Sequence, residues 1–202
     1  MNKVLLGTFL QNDVTGRIVV RGLGGNDKIT VHTKITKPAD LYGGFGNDVL
    51  TGGSGDDRLF GEANDDKLIG GKGNNLLVGG SGNDKLTRGI GRDVLIGGAG
   101  ADKLSGGLGE DLLIGGSTSF DADLTGLTNL FNDWNSAATY AERIDTITPG
   151  GVLNGATQLS AFTVQDTEKD MLTGAGGLDW FVVSATDKFD LKLPSETTPL
   201  TI

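Results

Sequence analysis

Residues 43–116 read GGFGNDVLT-GGSGDDRLF-GEANDDKLI-GGKGNNLLV-GGSGNDKLT-RGIGRDVLI-GGAGADKLS-GGLGEDLLI-GG, so that eight nonapeptides follow one another in a single register. The eighth position is leucine in every repeat. The sixth position is aspartate in every repeat except the fourth, which carries Asn75. A period this strict predicts a solenoid, in which each repeat stacks on its neighbours because it cannot bury its apolar side alone.

Each nonapeptide divides into a turn and a short strand. Glycines at positions one, two and four permit positive φ angles, which favours a turn over the first six residues. The last three residues suit a strand, in which the side chain at position eight points away from its neighbours at seven and nine. The leucines at position eight are therefore predicted to form one continuous core ridge.

Alternate repeats differ at positions seven and nine, which indicates a structural unit of 18 residues. In one set, position seven is mostly polar and holds Val49, Lys67, Lys85 and Lys103. In the other set, the outward positions are mostly apolar and include Leu76, Val78, Val94, Ile96, Leu112 and Ile114. The predicted fold is all-β, with two parallel sheets back to back. One outer face meets water, and the other needs a cover.

The turns carry the candidate chemistry. One aspartate recurs at the same place in each glycine-rich turn, and stacked turns lie about 4.8 Å apart. Carboxylates at that spacing repel one another unless a cation lies between them. Carboxylate and backbone carbonyl oxygens together suit a hard cation with flexible coordination, which points to calcium.

The array resembles the RTX calcium-binding nonapeptide, GGxGxDxUx, over about a third of the chain. The resemblance implies a right-handed parallel β-roll with calcium between same-side turns one coil apart. The implied side-chain ligands are the position-six residues Asp48, Asp57, Asp66, Asn75, Asp84, Asp93, Asp102 and Asp111. One row of sites would use Asp48/Asp66, Asp66/Asp84 and Asp84/Asp102, and the other Asp57/Asn75, Asn75/Asp93 and Asp93/Asp111, giving roughly six or more calcium ions.

The resemblance also implies carbonyl ligands from positions one and three of one turn and from positions two and four of the next. Those residues are Gly43, Phe45, Gly52, Ser54, Gly61, Glu62, Asn64, Gly70, Gly71, Lys72, Gly73, Gly79, Gly80, Ser81, Gly82, Arg88, Gly89, Ile90, Gly91, Gly97, Gly98, Gly100, Gly107 and Gly109. Two degenerate repeats, GLGGNDKIT (22–30) and GAGGLDWFV (174–182), add Asp27 and Asp179 at position six.

Four residues depart from the repeat. Glu62 and Asn64 replace glycines, although their carbonyls would still serve and asparagine tolerates the left-handed region. Arg88 replaces the first glycine of its turn, and Asn75 keeps an oxygen but loses the charge. We hypothesise that the two sites sharing Asn75 bind calcium most weakly. The alternative reading of the whole tract is disorder, which the leucine column rejects for the calcium-loaded state but not for the calcium-free state.

The composition of the chain argues against several classes of function. The chain has 202 residues, no cysteine and a net charge of −9, which argues against disulfides, thiolate metal sites and nucleic-acid binding. No apolar run approaches the roughly 20 residues of a membrane span. Residues 1–6 are too short an apolar segment for a secretory signal, so no N-terminal export signal is predicted. Residues 189–202 are either a C-terminal type I secretion signal or an ordinary chain terminus.

The flanks divide into three further segments around the array at 43–116. Residues 1–42 are predicted to form a β cap that includes strands at 4–10 and 17–21, a degenerate repeat, and a strand continuing through 31–36 before a turn at 37–40. Residues 117–158 are predicted to form a helical cap, with an amphipathic helix over 121–135 and a capping box at Thr139–Glu142. Residues 159–202 return to strands. We expect the helix to cover the apolar sheet face, and the alternative is that this face binds another molecule.

The predicted function is a secreted calcium-binding module that folds on binding calcium and has a structural or assembly role. One alternative is a self-assembling extracellular filament, surface-layer or matrix protein built by head-to-tail contacts. Another is the secretion module of a larger enzyme or adhesin. An enzyme is disfavoured, since the chain has one histidine and no HExxH or GxSxG motif. Ice or glycan binding is disfavoured because the exposed face carries a lysine column and both tryptophans are assigned to packing.

Overall fold

The structure is a computed structural model, and it describes residues 15–147, 164–165, 169–174, 178–183, 188–190 and 200–201. The strand predicted at 4–10 lies outside these residues. In chain order the strands and helices are β1 (Ile18–Gly24), β2 (Lys28–Thr30), β3 (Ala39–Phe45), β4 (Val49–Thr51), β5 (Arg58–Ala63), β6 (Lys67–Ile69), β7 (Leu76–Ser81), β8 (Lys85–Thr87), β9 (Val94–Ala99), β10 (Lys103–Ser105), β11 (Leu112–Ile114), β12 (Ser117–Thr118), α1 (Leu124–Trp134), α2 (Tyr140–Ile147), β13 (Val164–Gln165), β14 (Met171–Thr173), β15 (Trp180–Val183), β16 (Lys188–Asp190) and β17 (Leu200–Thr201).

Two parallel sheets form a solenoid. The larger sheet has the strand order β1-β3-β5-β7-β9-β11-β15-β17, and the other has the order β16-β14-β10-β8-β6-β4-β2. Consecutive strands in a sheet pair with an offset of 18 residues through the array, as Leu50 with Leu68 and Leu59 with Leu77. The predicted two-sheet solenoid with an 18-residue coil is confirmed. The division into four segments stays a prediction, since strands from the flanks pair into the same two sheets.

The strands of the larger sheet are longer than the repeat suggested. Strands β5, β7 and β9 contain six residues each, whereas β4, β6, β8 and β10 contain three. The extra pairing runs through positions two and three of the following turn, where Glu62 pairs with Gly80 and Ala63 with Ser81. The prediction of three residues for every strand is therefore wrong on this side, because the turn backbone also hydrogen-bonds to the next coil.

The leucines of position eight form the inner core between the sheets. Every one of them is at most 2% exposed: Leu50, Leu59, Leu68, Leu77, Leu86, Leu95, Leu104 and Leu113. Leu41, Leu172 and Phe181 extend the same cluster into the flanking coils. Burial of these side chains is the main apolar contribution that holds the two sheets together.

The two helices lie over the outer face of the larger sheet. Leu127, Leu130 and Trp134 of α1 and Ile147 of α2 are buried in one cluster with the apolar outward side chains of the array. The strand members of that cluster are Phe60, Leu76, Val78, Val94, Ile96, Leu112, Ile114, Trp180 and Val182. The opposite outer face, on the smaller sheet, keeps Lys67, Lys85 and Lys103 exposed.

Both helix starts are capped by side chains. Asp123 accepts a hydrogen bond from the Thr125 backbone N–H at the start of α1. At α2 the Glu142 carboxylate accepts from the Thr139 backbone N–H at 2.8 Å, and the Thr139 hydroxyl accepts from the Glu142 N–H at 3.3 Å. This reciprocal pair is the predicted capping box. Neither described helix is long and apolar enough to cross a membrane.

The segment between β2 and β3 differs from the prediction. Residues 31–36 do not continue the strand, because His32 Nδ1 accepts a hydrogen bond from the Lys34 backbone N–H at 3.1 Å and closes a turn. Ala39 and Asp40, predicted as a turn, instead begin β3. The first two strands, β1 and β2, continue the two sheets of the solenoid.

Candidate metal-binding turns

A first row of buried aspartates lies along one edge of the solenoid. In each link, the aspartate Oδ1 accepts a hydrogen bond from the backbone N–H of the equivalent residue one coil earlier. The N–O distances are 2.6–2.7 Å for Asp27–Asp48, Asp48–Asp66, Asp66–Asp84, Asp84–Asp102 and Asp102–Asp170. We call these six residues the first row.

A second row lies along the other edge and follows the same rule. It contains Asp57, Asn75, Asp93, Asp111 and Asp179, each of which accepts a hydrogen bond from the coil before. The Asp57 carboxylate accepts from the Ala39 N–H at 2.7 Å, and the Asp179 carboxylate accepts from the Asp111 N–H at 3.0 Å. Both rows thus present one side-chain oxygen per coil to the backbone, and the second carboxylate oxygen of each aspartate faces the turns.

The second carboxylate oxygen of the first row is buried. The Oδ2 atoms of Asp48, Asp66 and Asp84 have no hydrogen-bond partner within the described part of the chain. These three residues are at most 3% exposed. A buried polar atom without a partner is costly, and a carboxylate oxygen more so. A bound cation would remove that cost.

Carbonyl oxygens converge on the same atoms. A Cβ placed on Gly61 would lie 2.4 Å from Asp66 Oδ2 and 2.5 Å from the Gly79 carbonyl oxygen. A Cβ placed on Gly79 would lie 2.4 Å from both Asp84 Oδ2 and the Gly97 carbonyl oxygen. Position one must therefore be glycine here, because the space beside it is bounded by oxygen atoms of two successive turns.

The donor set consists of oxygen atoms from two carboxylates and several carbonyls. No group of three or more histidine, cysteine, aspartate or glutamate side chains that could hold a metal occurs among the residues that the structure describes. A cation in these turns would thus take most of its ligands from the backbone. Such a set suits calcium, which accepts six to eight oxygens in flexible geometry, better than a transition metal.

Burial also changes the proton affinity of these carboxylates. It raises the pKa of Asp66 to about 7 and of Asp84 to about 6, and the backbone N–H donors partly oppose the rise. For Asp66, the neighbouring Asp48 and Asp84 raise the pKa further. Burial likewise raises the pKa of Asp57 in the second row. The ionised row is therefore unfavourable without a neighbouring cation.

We expect the calcium-free chain to lose β-structure as the pH rises from about 4 to about 7. The folded carboxyls of Asp66 and Asp84 bind protons up to about 7 and 6, whereas the reference value is 3.8. The folded state thus binds more protons than the unfolded state in that window, so its stability falls with rising pH. Far-UV circular dichroism at pH 5 and pH 7.5 in calcium-free buffer checks this.

A matched control for the pH prediction is the double variant Asp66→Asn, Asp84→Asn. We expect a weaker pH dependence in this variant, because two of the titrating groups are gone. Equal spectra of the wild type at pH 5 and pH 7.5, or more β-structure at the higher pH, would contradict the assignment of raised pKa values to these turns.

Several departures from the repeat are visible in the backbone. Glu62 and Asn64 adopt φ angles of 77° and 76°, the left-handed region that glycine normally fills. Leu23, at position two of the degenerate repeat, has a φ of 79°. The turn geometry is thus kept even where the sequence is unfavourable for it, since neighbouring coils impose it.

The second row contains two further departures. The Asn75 side-chain amide donates to the Gly73 carbonyl at 3.0 Å, within its own turn. The Arg88 side chain lies inside its turn and forms ion pairs with Asp93 and Asp111. Burial raises the pKa of Asp93 to about 7, and the Arg88 guanidinium acts in the opposite direction. The two edges of the solenoid are therefore chemically different.

Sequence reasoning placed most of these side chains in the correct row but missed one. Asp170 was not among the metal ligands predicted from the sequence. In the structure Asp170 is 1% exposed and accepts from the Asp102 N–H, so it is the last described member of the first row. The signal was present, because residues 170–173 (DMLT) copy positions six to nine of the repeat. The ligand roles of the carbonyls stay predictions.

Comparison with known proteins agrees with the geometry. The family described as RTX calcium-binding nonapeptide repeat matches the chain in four overlapping copies, at residues 40–68, 51–86, 60–95 and 87–118. Neither the curated proteins nor the solved structures contain a match to this chain. The matched residues include Asp48 to Asp111, the array part of both rows.

Proposed function

Residues 40–118 are an array of RTX calcium-binding nonapeptide repeats, and from this we propose that the protein is a secreted module that folds as it binds calcium and has a structural role. The observation that carries the proposal is the first row of aspartates. The buried Oδ2 atoms of Asp48, Asp66 and Asp84 lie beside carbonyl oxygens of the next turn and need a cation. Calcium would supply the positive charge that these oxygens share.

The residues that would hold calcium follow from the row. Each ion would lie between two successive first-row residues: Asp48/Asp66, Asp66/Asp84 and Asp84/Asp102, with Asp27/Asp48 and Asp102/Asp170 at the two ends. Turn carbonyls, such as those of Gly79 and Gly97, would complete the ligand set. Because each carboxylate between the two ends of the row belongs to two turn pairs, loss of one such residue should weaken two sites.

Calcium binding and folding are coupled in this proposal. A ligand that binds only the native state stabilises it by mass action. Extracellular calcium modules bind with dissociation constants of about 10⁻⁴ to 10⁻³ M. The chain would then stay unfolded in a low-calcium cytosol and fold after export. RTX repeats are typical of secreted proteins, which supports this order of events.

A structural role is supported by what the buried carboxylates do. In both rows they accept hydrogen bonds from the neighbouring coil, so that each is already committed to holding the solenoid together. The single histidine, His32, is exposed in a turn and accepts from the Lys34 N–H. These placements favour a structural module over general acid–base chemistry.

A calcium titration tests the proposal directly. Starting from a chelated sample at pH 7.5, we expect a transition from coil to β-structure in far-UV circular dichroism at about 10⁻⁴ to 10⁻³ M calcium. Magnesium is the control, and it should fail to produce the transition because it demands a small, regular octahedral site. A chain already folded in chelator at this pH, or indifferent to calcium, would overturn the proposal.

An assembly role is a second candidate. In the part of the chain that the structure describes, β1 and β2 each pair with one strand only, and head-to-tail assembly would extend the two sheets from these strands. Charged residues on edge strands oppose edge-to-edge pairing, and Lys28 on β2 is exposed. Light scattering during the same titration decides between the two roles. A rise in step with folding supports assembly, and a flat trace supports the monomeric module.

A further inference from the structure

The Arg88 side chain is buried in a turn. Arg88 stands at position one of its repeat, where the repeats before and after have Gly79 and Gly97. Its side chain is 0% exposed, as are those of its two acidic partners, Asp93 and Asp111. An arginine is almost never fully buried unless it is paired, so its position calls for partners of matching charge.

The partners of Arg88 are second-row atoms equivalent to those that would face calcium in the first row. Arg88 Nε lies 3.1 Å from Asp93 Oδ2, and Nη2 lies 2.9 Å from Asp111 Oδ2. Arg88 Nη1 donates to the carbonyl oxygen of Gly89 in its own turn. Two position-six carboxylates one coil apart and a turn carbonyl thus surround one guanidinium.

The backbone hydrogen bond between adjacent coils is longer at Arg88 than at the equivalent positions of other repeats. The Arg88 N–H lies 3.4 Å from the Ser105 carbonyl oxygen. The equivalent distances are 2.8 Å from Gly52 to Ile69 and 3.0 Å from Gly70 to Thr87. A Cβ placed on Gly107 would lie 3.0 Å from Arg88 Cζ, so the guanidinium also reaches the facing turn. The wider spacing is local to the coil that contains the arginine.

We propose that the Arg88 guanidinium replaces a calcium ion between Asp93 and Asp111, so that this turn pair is closed to calcium. The guanidinium forms ion pairs with the two carboxylates and donates a hydrogen bond to the carbonyl oxygen of Gly89. This reverses the sequence expectation of a calcium ion at Asp93/Asp111. The inference rests on the proposed calcium binding by the rest of the array.

Two other contacts place protein donors along the second row. The Asn75 amide donates to the Gly73 carbonyl, so a neutral N–H group lies where the first row has a carboxylate oxygen. Near the start of the row, Arg17 Nη2 donates to the carbonyls of Ala39 and Asp56, at 2.9 Å each. Because these donors already contact turn carbonyls of the second row, we expect calcium to bind mainly in the first row.

The test is the variant Arg88→Gly, which restores the glycine of the repeat. Calcium bound per chain is measured by equilibrium dialysis at saturating calcium, with folding checked by circular dichroism. We expect one more ion per chain than in the wild type. The matched control is Lys34→Gly, which also removes a positive charge and adds a glycine to a turn, but whose side chain is exposed and belongs to neither row. Its calcium count should equal that of the wild type.

The outcomes separate this inference from the proposed function. A wild type that binds no calcium would overturn the proposed function itself. A wild type that binds calcium, with the same count in Arg88→Gly, would overturn only the replacement of calcium by Arg88. Failure of Arg88→Gly to fold at saturating calcium would also overturn it, because a calcium ion should then take the place of the guanidinium.

Discussion

Replacing Trp134 with alanine is expected to destabilise the folded protein by about 3–5 kcal/mol, the usual range for removing a buried aromatic side chain. Trp134 is 0% exposed at the centre of the cluster between α1 and the larger sheet. Its ring stacks on Trp180 with 6.4 Å between centroids, and its Nε1 donates to the Glu110 carbonyl at 2.9 Å. Truncation leaves a cavity and a carbonyl without its donor.

The measurement is urea unfolding at saturating calcium, followed by circular dichroism. The control is Leu124→Ala in the same helix, where the side chain is 41% exposed, and it should cost less than about 1 kcal/mol. If the two variants unfold at the same urea concentration, the helix does not stabilise the sheet in the way its burial indicates.

Replacing Asp84 with alanine is expected to raise the calcium concentration at the folding midpoint at least about tenfold. Asp84 belongs to two turn pairs, and its Oδ1 accepts from the buried Asp66 N–H at 2.7 Å. An orphaned buried N–H costs about 1–3 kcal/mol, and the lost calcium ligand adds to that cost. A factor of ten corresponds to about 1.4 kcal/mol. The number of bound ions should fall by two.

The calcium titration and equilibrium dialysis measure both effects of Asp84→Ala. The matched control is Asp65→Ala, which removes the same charge one residue from Asp66 but from an exposed side chain. Its midpoint should stay close to that of the wild type. A variant Asp84→Ala with the wild-type midpoint and calcium count would show that the first row does not bind calcium.

The solenoid part of the fold was predictable because the same sequence pattern occurs in eight successive repeats. The leucine of position eight predicted the core. The alternation at positions seven and nine predicted both sheets and the outer face that the helices cover. Single residues were less predictable. The turn that His32 closes ends β2, whereas the alternating sequence of residues 31–36 predicted that the strand would continue. The repeat placed Asp93 and Asp111 one coil apart, but it did not show that the Arg88 side chain points into its turn and pairs with both carboxylates.

The C-terminal coils of the solenoid are separated from the array by a long segment of chain. Within the array each aspartate link spans 18 residues, but the Asp102–Asp170 and Asp111–Asp179 links each span 68. This segment contains both helices, and the antiparallel pair of β12 and β13 brings two of its parts together. Closing the longer loop costs about 1 kcal/mol more in chain entropy than closing an array coil. We therefore expect the array to fold first, the helices to pack on it next, and the C-terminal strands to pair with it last.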